Sequence, residues 1–213
     1  MNIVSFGPGG VPDDEERRRF VELIRRQQIP ENEVPGLATG AQLLSGTGDA
    51  ALHLGPIEVF STGVRLPVVV LLRRSDALEA MGHDAFQRFQ EGLFLGVQLP
   101  DGRKVADSRQ RWMPPRDGAE DEPVLIHNSG GGGGRKFQFD WFLTPVPDPG
   151  DLLVVAAMPG VGLPEGRAVV PAAAMAAARA AVVELWPWEE DVQPAQPPRE
   201  RPPAPEGGWF ADA

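Results

Sequence analysis

Two hydrophobic periods follow one another along this chain. Between Pro12 and Gln28, the positions Phe20, Leu23, Ile24 and Gln27 fall on one side of a 3.6-residue period. Asp13, Asp14, Glu15 and Glu16 open this stretch and Arg25 and Arg26 close it, as the helix macrodipole favours. Glu15–Arg19 and Glu22–Arg26 add i,i+4 pairs, and Ile29-Pro30 stops the pattern. The stretch predicts an amphipathic helix packed by its apolar face on its own domain.

After Asp49 the period shortens. "ALHLGPIEVFSTGVRLPVVVLLRR" carries aliphatic runs broken at Gly55-Pro56 and Ser61-Thr62-Gly63, predicting two or three strands, the last buried over residues 67–73. Residues 75–92 return to weak helical character, with Leu78, Met81, Phe86 and Phe89 on one face and Gly82 opposing it. "LFLGVQLPDGRKVADS" predicts a hairpin turning at Pro100-Asp101-Gly102. Residues 114–123 are an acidic loop, and "PVLIHN" is a short strand. The clearest alternation is "KFQFDWFLTPV". It sets Phe137, Phe139, Trp141 and Leu143 on one face and Gln138, Asp140 and Thr144 on the other, so Asp140 is expected to point to solvent.

"LLVVAAM" predicts another strand, and "PGVGLPEGRAVV" a loop ending in one. "PAAAMAAARAAVVELW" predicts a helix with Pro171 in its first turn and Met175, Ala178, Val182 and Leu185 facing a sheet. Short strands separated by turn signals predict a mainly β fold. The expected architecture is an antiparallel β-sandwich (immunoglobulin-like) with an N-terminal helix and a C-terminal helix. Most connections are too short for the crossovers of a parallel sheet. The expected division is an N-terminal helix and linker over 1–48, the sandwich with its closing helix over 49–190, and a Pro-rich tail over 191–213.

Composition narrows the chemistry. A formal net charge of -10 disfavours nucleic acid and anionic membrane surfaces as general partners. No apolar run has the length of a membrane span and the first residues lack the pattern of a signal peptide, so a cytoplasmic location is expected. The sequence has no cysteine, which removes disulfides, thiolate metal sites and cysteine nucleophiles. Lysine occurs only at Lys104 and Lys136 while arginine is abundant, a bias that fits a GC-rich genome.

"HNSGGGGGRK" at residues 127–136 invites comparison with a phosphate loop. Counting back from Lys136, Arg135 occupies the second glycine position and Phe137 replaces the hydroxyl residue, and a strand pattern follows instead of a helix. An anion-binding nest closed by Arg135 and Lys136 stays open beside the simpler reading, a flexible strand-to-strand connection. His53, His83 and His127 each stand alone, without metal-ligand spacing. No GxSxG elbow occurs, and Asp140 and Asp107 are carboxylates of unknown separation. Trp209-Phe210, beyond a Pro-rich spacer, has the form of an anchor that docks into a partner; a cap on the protein's own sheet and no ordered role are the alternatives.

The run from the glycines through "FDWFLTPVPDPGDLLVVAAMPGVGLPEG" to "AVVELWP" resembles a group of uncharacterised actinobacterial β-rich proteins. The resemblance covers roughly the last two-thirds of the chain before the tail, implies a small β-rich domain and brings no activity or site residue. The expectation is a non-enzymatic module without cofactor, binding a protein partner through its loops and the aromatics Trp209 and Phe210. The alternative is a small-molecule-binding protein or hydrolase with a site near His127, Arg135, Lys136 and Asp140.

Overall fold

A computed structural model describes residues 21–23, 25–74, 89, 91–107 and 122–189. The rest of the expected N-terminal helix, most of the 75–92 segment, the loop up to residue 121 and the tail with Trp209 and Phe210 lie outside the described residues. In chain order the strands are β1 (Glu33–Val34), β2 (Gly36–Thr39), β3 (Gln42–Gly46), β4 (Ala50–Leu54), β5 (Ile57–Val59), β6 (Val64–Leu72) and β7 (Phe94–Gln98). They continue with β8 (Lys104–Ala106), β9 (Val124–Gly133), β10 (Lys136–Thr144), β11 (Leu152–Met158), β12 (Leu163–Val170) and β13 (Val183–Glu184). Residues 21–23 and 25–27 are helical, and a second helix spans Ala172–Ala180.

The fold is mainly β and its sheets are antiparallel. β6, the longest aliphatic run, pairs along its length with β10, from Val64 opposite Leu143 to Leu71 opposite Lys136. Its other edge takes β4 and β5 end to end, parted at Gly55-Pro56. β3 pairs with β4, β2 with β5, and β9 with β10, completing a seven-stranded sheet. A four-stranded sheet in the order β12-β11-β7-β8 stands beside it. Its β7–β8 hairpin turns at Gly102, whose φ of 87° suits the residue without a Cβ. β1 and β13 form a separate two-stranded ladder.

The alternating inward residues of the two larger sheets meet in one buried cluster. Leu52 and Leu54 of β4, Leu66 and Val68 of β6, and Phe139 and Trp141 of β10 supply one side. Leu95 and Val97 of β7, Val154 and Ala156 of β11, and Val170 of β12 supply the other. Two glycines let backbones close on this core. A Cβ on Gly166 of β12 would lie 2.0 Å from the Leu44 carbonyl oxygen of β3. One on Gly36 of β2 would lie 1.8 Å from the Ala178 carbonyl oxygen of the helix. The Asp151 carboxylate accepts the Ala172 N–H at 2.8 Å, satisfying one of the helix's three open N-terminal donors, the N-cap Pro171 having none.

Several expectations change. Residues 33–46, expected to be linker, form three strands. Their glycines and small polar side chains hide the β signal, and pairing with β5, β4 and β13 supplies what propensity lacks. The C-terminal helix stops at Ala180, because β-branched Val182 and Val183 favour extension and Val183 pairs with Val34. Met175 and Ala178 are buried as expected, but Leu185 is exposed. "PEGRAVV" lies within an eight-residue strand, β12. No described helix is long and apolar enough to cross a membrane.

Gly166→Ala is expected to cost about 1–3 kcal/mol through overpacking against a backbone atom. A midpoint in urea unchanged from that of the parent protein would contradict this contact between the sheets.

Candidate functional site

The glycine run is strand, not loop. Its residues 130–133 close β9, and Gly134-Arg135 form a two-residue turn into β10. Packing and backbone angles account for three of the five glycines. A Cβ on Gly130 would lie 2.7 Å from the Phe139 ring, and one on Gly132 would lie 2.4 Å from the Lys136 carbonyl oxygen. Gly134 sits at φ 63°, as a tight hairpin turn requires. Gly131 and Gly133 are different: among the described residues, a Cβ at either position meets nothing within 4 Å.

A register shift between Asp140 and Trp141 separates the ends of this hairpin. His127 lies opposite Trp141, whereas Ser129 lies opposite Asp140. Opposed residues share a face, so His127 belongs to the inner face with Trp141 and Asp140 to the outer one. The His127 ring packs edge-on against Trp141 at 5.1 Å and lies 6.2 Å from Phe139. Burial holds its pKa below the ordinary value, against the opposing pull of the Asp107 and Asp140 charges.

Asp140 is buried, correcting the expectation that it faces solvent. The outer face of β10 is covered there, and the carboxylate is matched by donors from three strands. Arg65 Nε and Nη2 donate to Oδ1 at 3.2 and 3.0 Å, with Gln138 Nε2 more distant at 3.5 Å. Ser129 Oγ donates to Oδ2 at 3.2 Å. Arg65 Nη1 also donates to Glu58 at 2.8 Å. Burial works against the guanidinium's charge, but the Glu58 hydrogen bond and the Asp140 and Glu58 charges outweigh it and raise its pKa. Glu58, Arg65, Asp140 and Ser129 thus tie β5, β6, β10 and β9 across one face.

The four expected ligand-binding residues do not converge. Arg135 is at the exposed hairpin tip, where Nη1 donates to the Arg73 carbonyl at 3.4 Å. Lys136 is exposed and four residues from Asp140, about 13 Å along a strand. His127 is across the sheet from both. Among the described residues no group of three or more His, Asp or Glu has metal-holding geometry.

The structure places a different concavity where the N- and C-terminal ends of the described chain meet. Asn32 Nδ2 donates to the Trp186 carbonyl and Leu185 N–H to the Asn32 carbonyl, both at 2.8 Å, extending the β1–β13 ladder. Beside it lies a cleft of about 460 Å³ lined by Arg25, Glu31, Glu33, Trp186, Trp188 and Glu189, among others. The Arg25 guanidinium stacks 4.9 Å from the centre of Trp188, while Trp186 is 58% exposed. Glu33 is held by Ser61, through its N–H at 2.9 Å and its hydroxyl. In the sequence, Trp186 and Trp188 straddle the end of the expected C-terminal helix, a position that by itself suggests seals of a sheet edge. The available signal was two of them flanking one proline, after the apolar helix period has ended.

No family model, curated protein or solved structure matches this chain.

Asp140→Ala is expected to destabilise the protein by about 1–3 kcal/mol, since Arg65 then loses a charged acceptor in a partly buried site. A loss in urea unfolding no larger than that of an exposed substitution would contradict the cross-strand role. For His127, a folded pKa below 6.5 means that the unfolded chain binds more protons in the window beneath that value. Stability is therefore complete above pH 6.5 and declines as pH falls from there towards the folded pKa. Melting temperatures of His127→Gln should decline less across that window, and parallel curves would contradict the assignment.

Proposed function

We propose that this protein is a non-enzymatic β-sandwich binding module that contacts a partner protein through basic side chains of that partner. One observation carries the reading: an exposed aromatic face set in an acidic cleft. Trp186 offers an open indole beside Glu31, Glu33 and Glu189, and Arg25 on Trp188 shows the same cleft holding a guanidinium by stacking. Exposed Val34, Val183 and Leu185 run alongside on the terminal ladder, supplying apolar area around the charged contact. A chain of net charge -10 also attracts a basic partner at long range. The tail over 191–213 continues from this surface in sequence, and Trp209 and Phe210 are proposed as a second anchor for the same partner.

The test uses a fluorescent extended peptide carrying arginine between apolar residues, with fluorescence anisotropy as the readout. Trp186→Ala is expected to weaken binding about tenfold, or about 1.4 kcal/mol, without changing the melting temperature. Removing residues 192–213 is expected to weaken it further. Equal binding by the parent protein and the Trp186 variant, or equal binding of a peptide with glutamate in place of arginine, would overturn the reading.

A further inference from the structure

Among the described residues, β9 is hydrogen-bonded to β10 on one side and to no strand on the other. Such an edge presents backbone donors and acceptors to any strand that can reach it, and proteins usually guard it with lysine, proline or a short length. β9 has ten residues, contains no charged side chain or proline, and ends in four glycines. Glycine weakens a strand, and inside one it often marks the close approach of another backbone. Among the described residues, no packing partner of Gly131 or Gly133 requires a missing side chain.

We propose that β9 pairs antiparallel with β9 of a second copy, forming a two-fold dimer with one sheet continuous across it. Three features of the strand select its own copy as the occupant. With Val124 opposite Gly133 of the partner copy, Leu125 falls opposite Gly132 and Ile126 opposite Gly131. Large residues in the first half of each strand then cover small ones in the second half of the other. The register shift after His127 is the second feature. Val124 and Ile126 lie opposite Thr144 and Phe142, while Gly131 and Gly133 lie opposite Gln138 and Lys136, all on the outer face. The bulge therefore sets both halves so that the half-exposed Val124 and Ile126 side chains meet the open glycine positions on the same face.

The third feature is charge. The same register sets Arg135 of each copy opposite Glu122 of the other, just beyond the two ends of the paired strands. Both residues are exposed, so each end of the dimer gains an opposite-charge pair. The interface is isologous and closes on itself, ending growth at two copies. It is independent of the Trp186 cleft.

Sedimentation velocity of the full chain over a wide concentration range tests the proposal. A reversible monomer–dimer equilibrium is expected. Arg135→Glu should raise its dissociation constant about tenfold or more, and Arg135→Glu combined with Glu122→Arg should restore it. Gly131→Val should weaken the dimer while leaving the monomer's melting temperature unchanged or higher, because its side chain enters space that is open in one copy. A monomer at every concentration would overturn the proposal. So would a dimer indifferent to Arg135→Glu and Gly131→Val, or a charge swap that fails to restore association.

Discussion

β6 and β10 are buried along most of both faces, and the arrangement of the other strands follows from that constraint. Val68, Val69 and Val70 are consecutive buried residues, as are Asp140 through Thr144. A strand pair shielded on both sides favours a partner for each buried carboxylate or hydroxyl, because an unmatched buried carboxylate is far more costly than a matched one. Asp140 meets that demand through Arg65 on the facing strand and Ser129 on the next, and Arg65 is in turn shared with Glu58. Thr144 meets it at the strand's end, where its hydroxyl lies 2.8 Å from the Arg26 carbonyl and 2.9 Å from that of Thr62. The centre of the larger sheet is thus fixed by apolar burial on one face and by charge matching on the other.

The two margins of that sheet are finished differently. On the β2 and β3 side, the helix Ala172–Ala180 and β12 come within backbone contact, through Gly36 and Gly166. Those glycines are explained by the atoms that press on them. On the β9 side, none of the described residues lies where a side chain on Gly131 or Gly133 would be. The contrast gives the glycine run its meaning: one composition does three jobs, admitting Phe139 and the β10 backbone, turning the hairpin, and leaving part of an edge bare.

The β-rich class, the β7–β8 hairpin and the inward row of β10 were legible because period-2 alternation and a Pro-Asp-Gly turn are local signals. The burial of Asp140 was not, since alternation describes two faces without saying what covers the second. The first half of β9 was legible in "PVLIHN", but its second half was hidden by glycine, which carries no β preference of its own and becomes strand only through pairing with β10. The early end of the C-terminal helix follows from Val183 pairing with Val34, nearly the length of the described chain away. For the candidate site, residue types indicated His127, Arg135, Lys136 and Asp140 as neighbours in sequence. A one-residue bulge and the strand's alternating faces set His127 and Asp140 apart. The cleft at Trp186 and Trp188 is assembled from both ends of the described chain, so no window of sequence contains it.

Amide hydrogen exchange, resolved along the chain and repeated at low and high protein concentration, tests the account most directly. The account predicts slowest exchange at β6 and β10, through global unfolding alone, and faster exchange at the small β1–β13 ladder. It further predicts that only the β9 region gains protection as concentration rises. Exchange of β6 and β10 as fast as that ladder would contradict the central pairing, and concentration-independent exchange at β9 would contradict its role as an assembling edge.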